Sequence, residues 1–333
     1  MKSADHIRVA QVGCGYWGKN LVRNFSELGV LASVTDREAA VQAAMSADFR
    51  VAGLSWAEVL RAPEIDAVSL ATPAGEHASM AAEAIAAGKH VFVEKPLALC
   101  SREAERLIEQ ARLAGRILMV GHLLQYHPIF LRLKQMVDEG ALGVINYIFS
   151  NRMSLGKFRT EENVLWSFAP HDVSMILSVL GEEPEIVTAQ GAAFVSPGIA
   201  DWVTMQMAFP GGARGHVQVS WASPYKEQRL VVLGDGGMAV FDDAETDWGR
   251  KLALYRHRID KSGPVPTPLK SEVEFLEVER DEPLKAECRH FIEAIATKSP
   301  PQTDGNEGLR VLKVLERGEA ALRMSLDQEG VES

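Results

Sequence analysis

The feature that most constrains this chain is a glycine-rich turn between a short apolar run and an amphipathic segment. The run Ile7–Val12 is typical of a buried parallel strand, and the apolar residues of Asn20–Leu28 have helical spacing. Between the two segments lies the pattern Gly13-x-Gly15-x-x-Gly18. A strand, a glycine turn and a helix in this order place a pyrophosphate at a helix N-terminus, where backbone N–H groups and the helix dipole attract it. The pattern therefore predicts a nucleotide-binding fold.

Two kinds of nucleotide site fit these glycines, and the residues that follow decide between them. With Lys19 they also fit the phosphate loop G-x-x-x-x-G-K, but that loop needs a hydroxyl residue next to bind Mg²⁺, and Asn20 stands there. A second apolar run, Leu31–Thr35, ends at Asp36, eighteen residues after Gly18. A carboxylate about 20 residues after the glycines binds a ribose hydroxyl in dinucleotide sites. We therefore expect NAD.

The choice between NAD and NADP depends on the charges that follow the second run. The carboxylate of Asp36 would repel the 2′-phosphate of NADP, whereas Arg37 next to it would attract a phosphate. NAD is thus the expected cofactor and NADP the less favoured one.

Length, charge and cysteine content restrict the class of protein. A chain of 333 residues suggests about two domains. Its net charge of −10 argues against nucleic acid or an anionic membrane as a partner. Three scattered cysteines predict neither a disulfide framework nor a metal site. The N-terminus has no signal-peptide core and no apolar run reaches about 18 residues, so we expect a cytoplasmic, soluble protein.

The order of the predicted elements indicates two domains of different type. Residues 1–123 alternate strands and helices, which predicts a Rossmann domain with a doubly wound parallel sheet. Residues 124–333 carry many strand-like runs between glycine-rich turns, which predicts an α+β domain with a mostly antiparallel, open sheet. Within this domain we expect an early helix at Asp172–Leu180 and an irregular loop at 257–271.

The chain resembles the glucose–fructose oxidoreductase/inositol 2-dehydrogenase (Gfo/Idh/MocA) family over nearly its whole length. Besides the glycine turn, the points of likeness are Thr72-Pro73 with a following His77, Glu94-Lys95-Pro96, and His171-Asp172 at the start of a helix. The resemblance implies a nicotinamide-dependent oxidoreductase acting on a sugar or cyclitol hydroxyl. It also implies a cis Lys95–Pro96 bond and a homo-oligomer, a dimer or tetramer, formed through the open face of the second sheet.

A narrower likeness concerns the substrate. The segments 152–166, 169–172 and 220–227 are similar to those of members that oxidise the 3-hydroxyl of UDP-N-acetylglucosamine or of its uronic acid. Such members supply 3-amino sugars for lipopolysaccharide and lipid A. The likeness implies a UDP-sugar substrate, and it leaves the oxidation state of the sugar's C6 open.

The family pattern and the chemistry of alcohol oxidation together indicate the catalytic residues. A base must take the hydroxyl proton while the hydride leaves, and His171 is suited to this because imidazole titrates near neutral pH. Lys95, at the end of a strand, could relay the same proton if partly desolvated. Many family members carry Asp four residues before the histidine, where this chain has Ser167. Proton work therefore falls to His171, with Asp172 or Lys95 as its partner, and the sequence does not decide whether His171 or Lys95 takes the proton.

The remaining candidate residues form two groups. The expected cofactor contacts lie at predicted strand ends and in the glycine turn: Gly13, Gly15, Tyr16, Trp17, Gly18, Asp36, Arg37, Thr72, Pro73, His77, Glu94 and Lys95. The expected substrate contacts are polar, basic or aromatic: His122, Arg152, Lys157, Arg159, Asn163, Trp166, Asp172 and Lys226. Arginine suits the diphosphate because it makes bidentate contacts.

Several of these assignments have structural alternatives. His77 could be a packed or capping histidine, His122 could belong to a linker, and Trp17 could fill space rather than cover cofactor. The basic segments could be solvated loops of mixed charge.

Alternative activities also remain. They are oxidation of a free sugar or inositol, and an NAD-dependent glycosidase without net redox change. A non-catalytic NAD sensor is disfavoured because it would need neither Lys95 nor His171.

Overall fold

The computed structural model describes residues 6–331, with side chains described up to residue 326. Contacts divide the chain into two compact units, Met1–Tyr126 with Asp281–Leu312 and His127–Arg280 with Lys313–Ser333. The first five residues, on which the prediction of a missing signal peptide depends, lie outside the described range. None of the helices in that range combines the length and the apolar composition of a membrane-spanning segment.

The first unit is built on a six-stranded parallel sheet. Its strands are β1 (Val9–Val12), β2 (Leu31–Thr35), β3 (Ala52–Gly53), β4 (Ala67–Leu70), β5 (His90–Glu94) and β6 (Leu118–Gly121). The order is β3-β2-β1-β4-β5-β6, so the direction of winding reverses between β1 and β4. Ligands of doubly wound sheets bind in the crevice at this reversal, at the carboxyl ends of the strands. The predicted Rossmann fold is confirmed.

Short-range signals fix several helix ends in this unit. Its first helices are α1 (Gly18–Glu27), α2 (Ala39–Phe49), α3 (Trp56–Arg61), α4 (Ala74–Ala86) and α5 (Ser101–Ala114). Ser55 and Glu58 form a capping box at the start of α3. Gly115 ends α5 with φ of 61°, a left-handed conformation that costs glycine little.

The second unit is built on an eight-stranded sheet that is antiparallel except for one pair. Its strands are β7 (Ile145–Leu155), β8 (Ile186–Ala192), β9 (Trp202–Ala208), β10 (Arg214–Ser220), β11 (Ala222–Gly234), β12 (Met238–Asp242), β13 (Leu252–Tyr255) and β16 (Val273–Phe275). Between β13 and β16 in the chain, β14 (Arg258–Asp260) and β15 (Thr267–Leu269) form a separate two-stranded hairpin. The order is β16-β13-β12-β11-β7-β10-β9-β8, and β7 and β10 are the parallel pair. The predicted mostly antiparallel sheet is confirmed, whereas the hairpin occupies part of the predicted irregular loop.

Two helices of this unit are α6 (Pro128–Asp138) and α7 (Val164–Leu180). The predicted start of α7 at Asp172 is wrong by eight residues. Asn163 caps the helix, because its Oδ1 accepts the N–H groups of Leu165 at 3.1 Å and Trp166 at 3.4 Å. Pro170 lies inside the helix and obscures its start in the sequence. His171 is consequently an interior residue of α7 and does not open it.

The chain ends with α8 (Pro283–Thr297) and α9 (Gly305–Val331). Residues 281–312 pack within the first unit, although the predicted boundary at 123/124 assigned them to the second domain. The ring of Phe291 meets that of Phe92 edge-on at 5.8 Å. Thr303 bonds the edge strand β6, accepting the N–H of Val120 at 2.8 Å and donating its hydroxyl to the Val120 carbonyl at 2.7 Å. These contacts are distant in sequence, which is why the sequence pattern did not reveal them.

One side chain of α8 is an acid inside the core. Glu287 is 0% exposed, and its two carboxylate oxygens lack a hydrogen-bond partner among the described residues. Burial, together with the charges of Glu94 and Glu307, raises the pKa of Glu287 well above its usual value. The folded state therefore holds a proton that the unfolded chain releases at lower pH.

This proton makes the stability of the protein pH-dependent. Because the folded-state pKa of Glu287 is raised, its contribution to stability is complete below the unfolded value near 4.5 and is lost as pH rises through the folded value. We expect Glu287→Gln to be about as stable as wild type at acidic pH and increasingly more stable as pH rises, by up to about 1.4 kcal/mol per pH unit. Urea unfolding across pH measures this. Glu293→Gln, on the exposed side of α8, is the control, and parallel pH curves for Glu287→Gln and wild type would contradict the assignment.

Candidate active site

The glycine turn at the end of β1 is shaped by close backbone packing. Gly13 has φ of +82°, and a Cβ there would lie 2.5 Å from the Ala71 carbonyl oxygen. A Cβ on Gly18 would lie 1.9 Å from the Gly13 carbonyl oxygen, whereas one on Gly15 meets nothing within 4 Å. Gly13 and Gly18 thus allow the turn to pack, and Gly15 leaves space for a ligand. Trp17, the N-cap residue of α1, makes no side-chain capping hydrogen bond at this helix start, where a pyrophosphate would bind.

Asp36 is held at the carboxyl end of β2 beside this turn. Its Oδ2 accepts the N–H of Cys14 at 2.7 Å, and its Oδ1 accepts the N–H of Glu38 at 2.9 Å. The backbone N–H of Asp36 donates to Gln42 Oε1 at 2.9 Å. The carboxylate is thereby fixed next to the glycine turn, where a ribose hydroxyl can reach it. Gln42 was missed from the sequence, since α2 buries no side chain and gave no helical signal.

A groove of about 610 Å³ opens at these strand ends within the first unit. Its size is typical of a small-molecule or cofactor site. The predicted residues Gly13, Gly15, Asp36, Arg37, Thr72 and Pro73 line it together with Val12, Thr35, Glu38, Ala39, Val41, Gln42, Ser55, Trp56, Ala71, Glu76 and Met80. The side chain of Arg37 is 75% exposed, with its guanidinium 3.9 Å from the Glu38 carboxylate. The groove has the position and size that we expect for the adenosine half of a dinucleotide.

Replacing Asp36 with alanine tests this assignment. We expect NAD affinity to fall about 30-fold, because a hydrogen bond to a charged group contributes about 1.5–3 kcal/mol. NADP affinity should fall less, since the repulsion of the 2′-phosphate is removed as well. Isothermal titration calorimetry with both cofactors measures the change, with Asp48→Ala on the exposed side of α2 as the control. Unchanged NAD affinity would remove Asp36 from the site.

Glu94 and Trp17 connect the glycine turn to the end of β5. The indole N–H of Trp17 donates to Glu94 Oε1, and the carboxyl group of Glu94 is buried. Burial raises the pKa of Glu94 to about 7, against the opposing effects of the Trp17 hydrogen bond and the Lys95 charge. Tyr16, in contrast, is 88% exposed, and the ammonium of Lys19 lies 5.4 Å from its ring centroid. The pair Trp17–Glu94 therefore braces the turn, and Tyr16 is the more accessible of the two aromatic residues.

Lys95 follows β5, and the predicted cis peptide bond to Pro96 is present. His77 lies beneath this turn and is 1% exposed. Its Nδ1 is 2.7 Å from the Pro96 carbonyl oxygen and its Nε2 is 2.9 Å from that of Thr72. Both ring nitrogens face backbone, so the structure favours the packed alternative for His77 over a direct cofactor contact.

His122 also has a partner inside the first unit. Its Nδ1 lies 2.5 Å from Glu307 Oε2, and its ring is 2% exposed. It follows β6 directly, as predicted, and the pairing with Glu307 favours the structural alternative for this histidine.

Four of the predicted substrate residues are engaged within the second unit. Asp172 is 0% exposed and binds Arg152 at 2.8 and 3.2 Å and the Ser150 hydroxyl at 2.5 Å. Burial alone would lower the pKa of Arg152, but the Asp172 carboxylate raises it. Asn163 Nδ2 and Trp166 Nε1 both donate to Glu319 of α9, at 2.8 and 3.2 Å. These residues organise α7 and β7, and the guanidinium of Arg152 is already paired with Asp172.

The remaining basic residues lie in two exposed segments, one that follows β7 and one in an interruption of β11. Lys157 and Arg159 follow β7, and Arg159 pairs with Glu162 at 2.8 Å while its side chain stays 45% exposed. The pairing of β11 with β7 is interrupted between Ala222 and Glu227, and Lys226 lies exposed in this interruption. Because Ala222 pairs with Leu155, the interruption is adjacent to the Lys157 segment. We call Lys157, Arg159 and Lys226 the basic edge.

Comparison with known proteins gives matches over both units. The family model "Oxidoreductase family, NAD-binding Rossmann fold" matches residues 7–122, and "GFO/IDH/MocA C-terminal domain" matches residues 130–240. A UDP-N-acetylglucosamine 3-dehydrogenase from Acidithiobacillus ferrooxidans is 30% identical over 308 residues, covering 92% of this chain and 94% of that protein. A solved structure of the enzyme from that organism has a TM-score of 0.86 at 28% identity, covering 96% of this chain and 99% of that one. A myo-inositol 2-dehydrogenase from Thermotoga maritima is 27% identical over 276 residues, covering 77% of each protein.

Proposed function

Because the chain belongs to the Gfo/Idh/MocA family of NAD-dependent oxidoreductases, we propose that it oxidises the 3-hydroxyl of a UDP-sugar to the 3-keto sugar. The substrate is UDP-N-acetylglucosamine or its uronic acid, and the product would supply 3-amino sugar synthesis for lipopolysaccharide or lipid A. The observation that carries this proposal is the likeness to a UDP-N-acetylglucosamine 3-dehydrogenase over 92% of the chain.

The chemistry sets the tasks of the protein's residues. NAD, when bound, accepts the hydride from the sugar carbon. The chain must hold the cofactor and must take the hydroxyl proton, since a developing ketone cannot retain it. The groove at β1, β2 and β4 supports the first task, with Asp36 and the glycine turn as ligands. For the second we assign His171 and Lys95, because imidazole and a partly desolvated amine can both exchange protons near neutral pH.

The basic edge supports a diphosphate-bearing substrate. The chain has a net charge of −10, so an anionic sugar nucleotide needs local cations. Lys157, Arg159 and Lys226 carry exposed positive groups on two adjacent segments. Exposed Tyr225 and partly exposed Phe158 lie among them and offer aromatic surface for a uracil ring. This part of the chain therefore has the composition that recognition of a UDP group requires.

The role of the basic edge can be tested at Arg159. We expect Arg159→Ala to raise KM for the UDP-sugar about tenfold with little change in kcat, because a charge-assisted contact to phosphate serves ground state and transition state alike. Steady-state kinetics with NAD in excess measures both constants. Arg256→Ala removes another exposed, ion-paired arginine of the same unit and should change neither. An unchanged KM would indicate a neutral free sugar.

Two other activities are distinguished by one ligand screen. The inositol dehydrogenase among the relatives favours a free cyclitol or sugar as the alternative substrate. Thermal-shift measurements with NAD present, comparing UDP, UDP-N-acetylglucosamine, its uronic acid, inositol and glucose, should give the largest stabilisation for a UDP-sugar. Stabilisation by inositol or glucose but not by UDP compounds would contradict the proposal. A glycosidase without net redox change would bind the sugar nucleotide but accumulate no NADH. The assay contains no 2-oxo acid, because such an acid could reoxidise NADH and hide the activity of a dehydrogenase.

We also propose the compartment and the assembly. Cys14, Cys100 and Cys288 are all unpaired, which is consistent with a reducing compartment such as the cytoplasm. Half-buried aromatic residues, including Tyr147 and Phe149 with ring centroids 5.7 Å apart, lie on the face of the large sheet opposite its buried side chains. This face is the proposed contact of a dimer or tetramer, and sedimentation of the purified protein tests it.

A further inference from the structure

His77 contacts two turns that follow neighbouring strands of the first unit. Thr72 comes two residues after β4, and Pro96 comes two residues after β5. The imidazole lies between their carbonyl oxygens, at 2.9 Å from Thr72 and 2.7 Å from Pro96, and is almost completely buried. Thr72 lines the cofactor groove, and Pro96 forms the cis bond with Lys95. One ring thus joins the cofactor side of the unit to the turn that carries Lys95.

The two contacts are not chemically equivalent. A backbone carbonyl only accepts hydrogen bonds, and a neutral imidazole has one N–H group. Burial lowers the pKa of His77 below its usual value, although the contacts with the Pro96 and Thr72 carbonyls oppose that effect, so the neutral ring predominates at neutral pH. One contact is then a hydrogen bond, and the other leaves a nitrogen lone pair facing a carbonyl oxygen. The shorter contact, Nδ1 to the Pro96 carbonyl, is the better candidate for the hydrogen bond.

We propose that His77 is a positioning residue that acts through Lys95: its Nδ1–H holds the Pro96 carbonyl and thereby fixes the Lys95–Pro96 turn. In this role the ring needs no contact with cofactor or substrate, since it is buried and both its nitrogens face backbone carbonyls. This inference rests on the proposed function for the role of Lys95, but the position of the Lys95 turn can be measured without any substrate.

Three substitutions separate the two contacts of His77. His77→Asn places an amide N–H near the position of Nδ1, His77→Gln places one near the position of Nε2, and His77→Leu removes both donors while filling the space. We expect kcat to fall about 100-fold in His77→Leu, since a displacement of about 1 Å at a reacting group can have that effect. His77→Asn should recover most of this loss and His77→Gln little of it. The dissociation constant of NAD should change little in all three variants, because His77 does not line the cofactor groove.

A labelling experiment provides the readout that does not depend on turnover. The protein is treated with acetic anhydride, and mass spectrometry gives the acetylation rate of Lys95 relative to exposed Lys270 in the same sample. We expect His77→Leu to change this ratio and His77→Asn to restore it. If the ratio changes as expected while no sugar is oxidised, the proposed function fails and the positioning role stands.

The opposite results would overturn the inference. They are an unchanged Lys95 ratio in His77→Leu, or a His77→Gln variant at least as active as His77→Asn. Should His77→Leu fail to fold, the order of the Asn and Gln variants decides alone. Equal loss in those two, accompanied by equal loss of thermal stability, would mean that His77 only packs.

Discussion

Replacing His171 with alanine is expected to lower kcat about 1,000-fold, because loss of a general base typically removes a factor of 10²–10⁴. The dissociation constant of NAD should remain near that of wild type, since the cofactor groove lies in the first unit and His171 belongs to α7 of the second. The acid limb of the pH profile of kcat/KM should disappear as well, because a base must lose its own proton before it can accept another.

The control for this prediction is one turn earlier on the same helix. Ser167 is 3% exposed and lies four residues before His171. If Ser167 does no proton transfer, Ser167→Ala should leave kcat within about threefold of wild type, a change well below the loss of a general base. Full activity of His171→Ala, or a loss in Ser167→Ala as large as that in His171→Ala, would contradict the assignment of His171.

Replacing Lys95 with methionine is expected to have an effect of similar size, about 100- to 1,000-fold on kcat. Methionine keeps most of the side chain's length but has no group that can donate or relay a proton. Lys285→Met, which removes an ion-paired lysine of the same unit, should leave kcat unchanged. Stopped-flow measurement of the first turnover separates this effect from slow product release. Normal single-turnover rates in Lys95→Met would remove Lys95 from catalysis.

The double variant shows whether the two residues serve one step. When two groups act on the same proton, the losses of kcat caused by substituting each of them do not add. The double variant His171→Ala with Lys95→Met should therefore be little slower than the slower single variant. Fully multiplicative losses would assign the two residues to independent tasks. This comparison also bears on which residue takes the proton, because the variant lacking the base should lose the acid limb of the pH profile.

The parts of the fold that could be predicted from sequence are governed by neighbouring residues. The turn from β1 to α1 depends on glycines at three positions, and Gly13 and Gly18 are required there because a Cβ would collide with backbone. The capping box at Ser55 is likewise formed by residues three positions apart. The start of α7 was missed because Asn163, its true cap, is followed by a helix that contains a proline.

What could not be predicted depends on partners far away in the chain. Nothing near Arg152 in sequence indicates that Asp172 neutralises it, nor does the composition around Asn163 and Trp166 indicate that Glu319 binds both. Sequence patterns identify chemically suitable residues, and only the tertiary contacts show which of them are already engaged. The same reason explains why residues 281–312 were assigned to the second domain, although Phe291 packs in the core of the first unit.

The most direct test of the proposed activity is a stopped-flow experiment in which the enzyme with NAD is mixed with UDP-N-acetylglucosamine, unlabelled or deuterated at C3. We expect reduced nicotinamide to form in an amount close to that of the enzyme, and to form more slowly from the deuterated sugar because the C3–H bond breaks in that step. The absence of reduced nicotinamide with this sugar, its uronic acid and the free sugars would contradict the assignment as a sugar dehydrogenase. Reduction by inositol or glucose alone would contradict the proposed substrate while leaving the dehydrogenase in place.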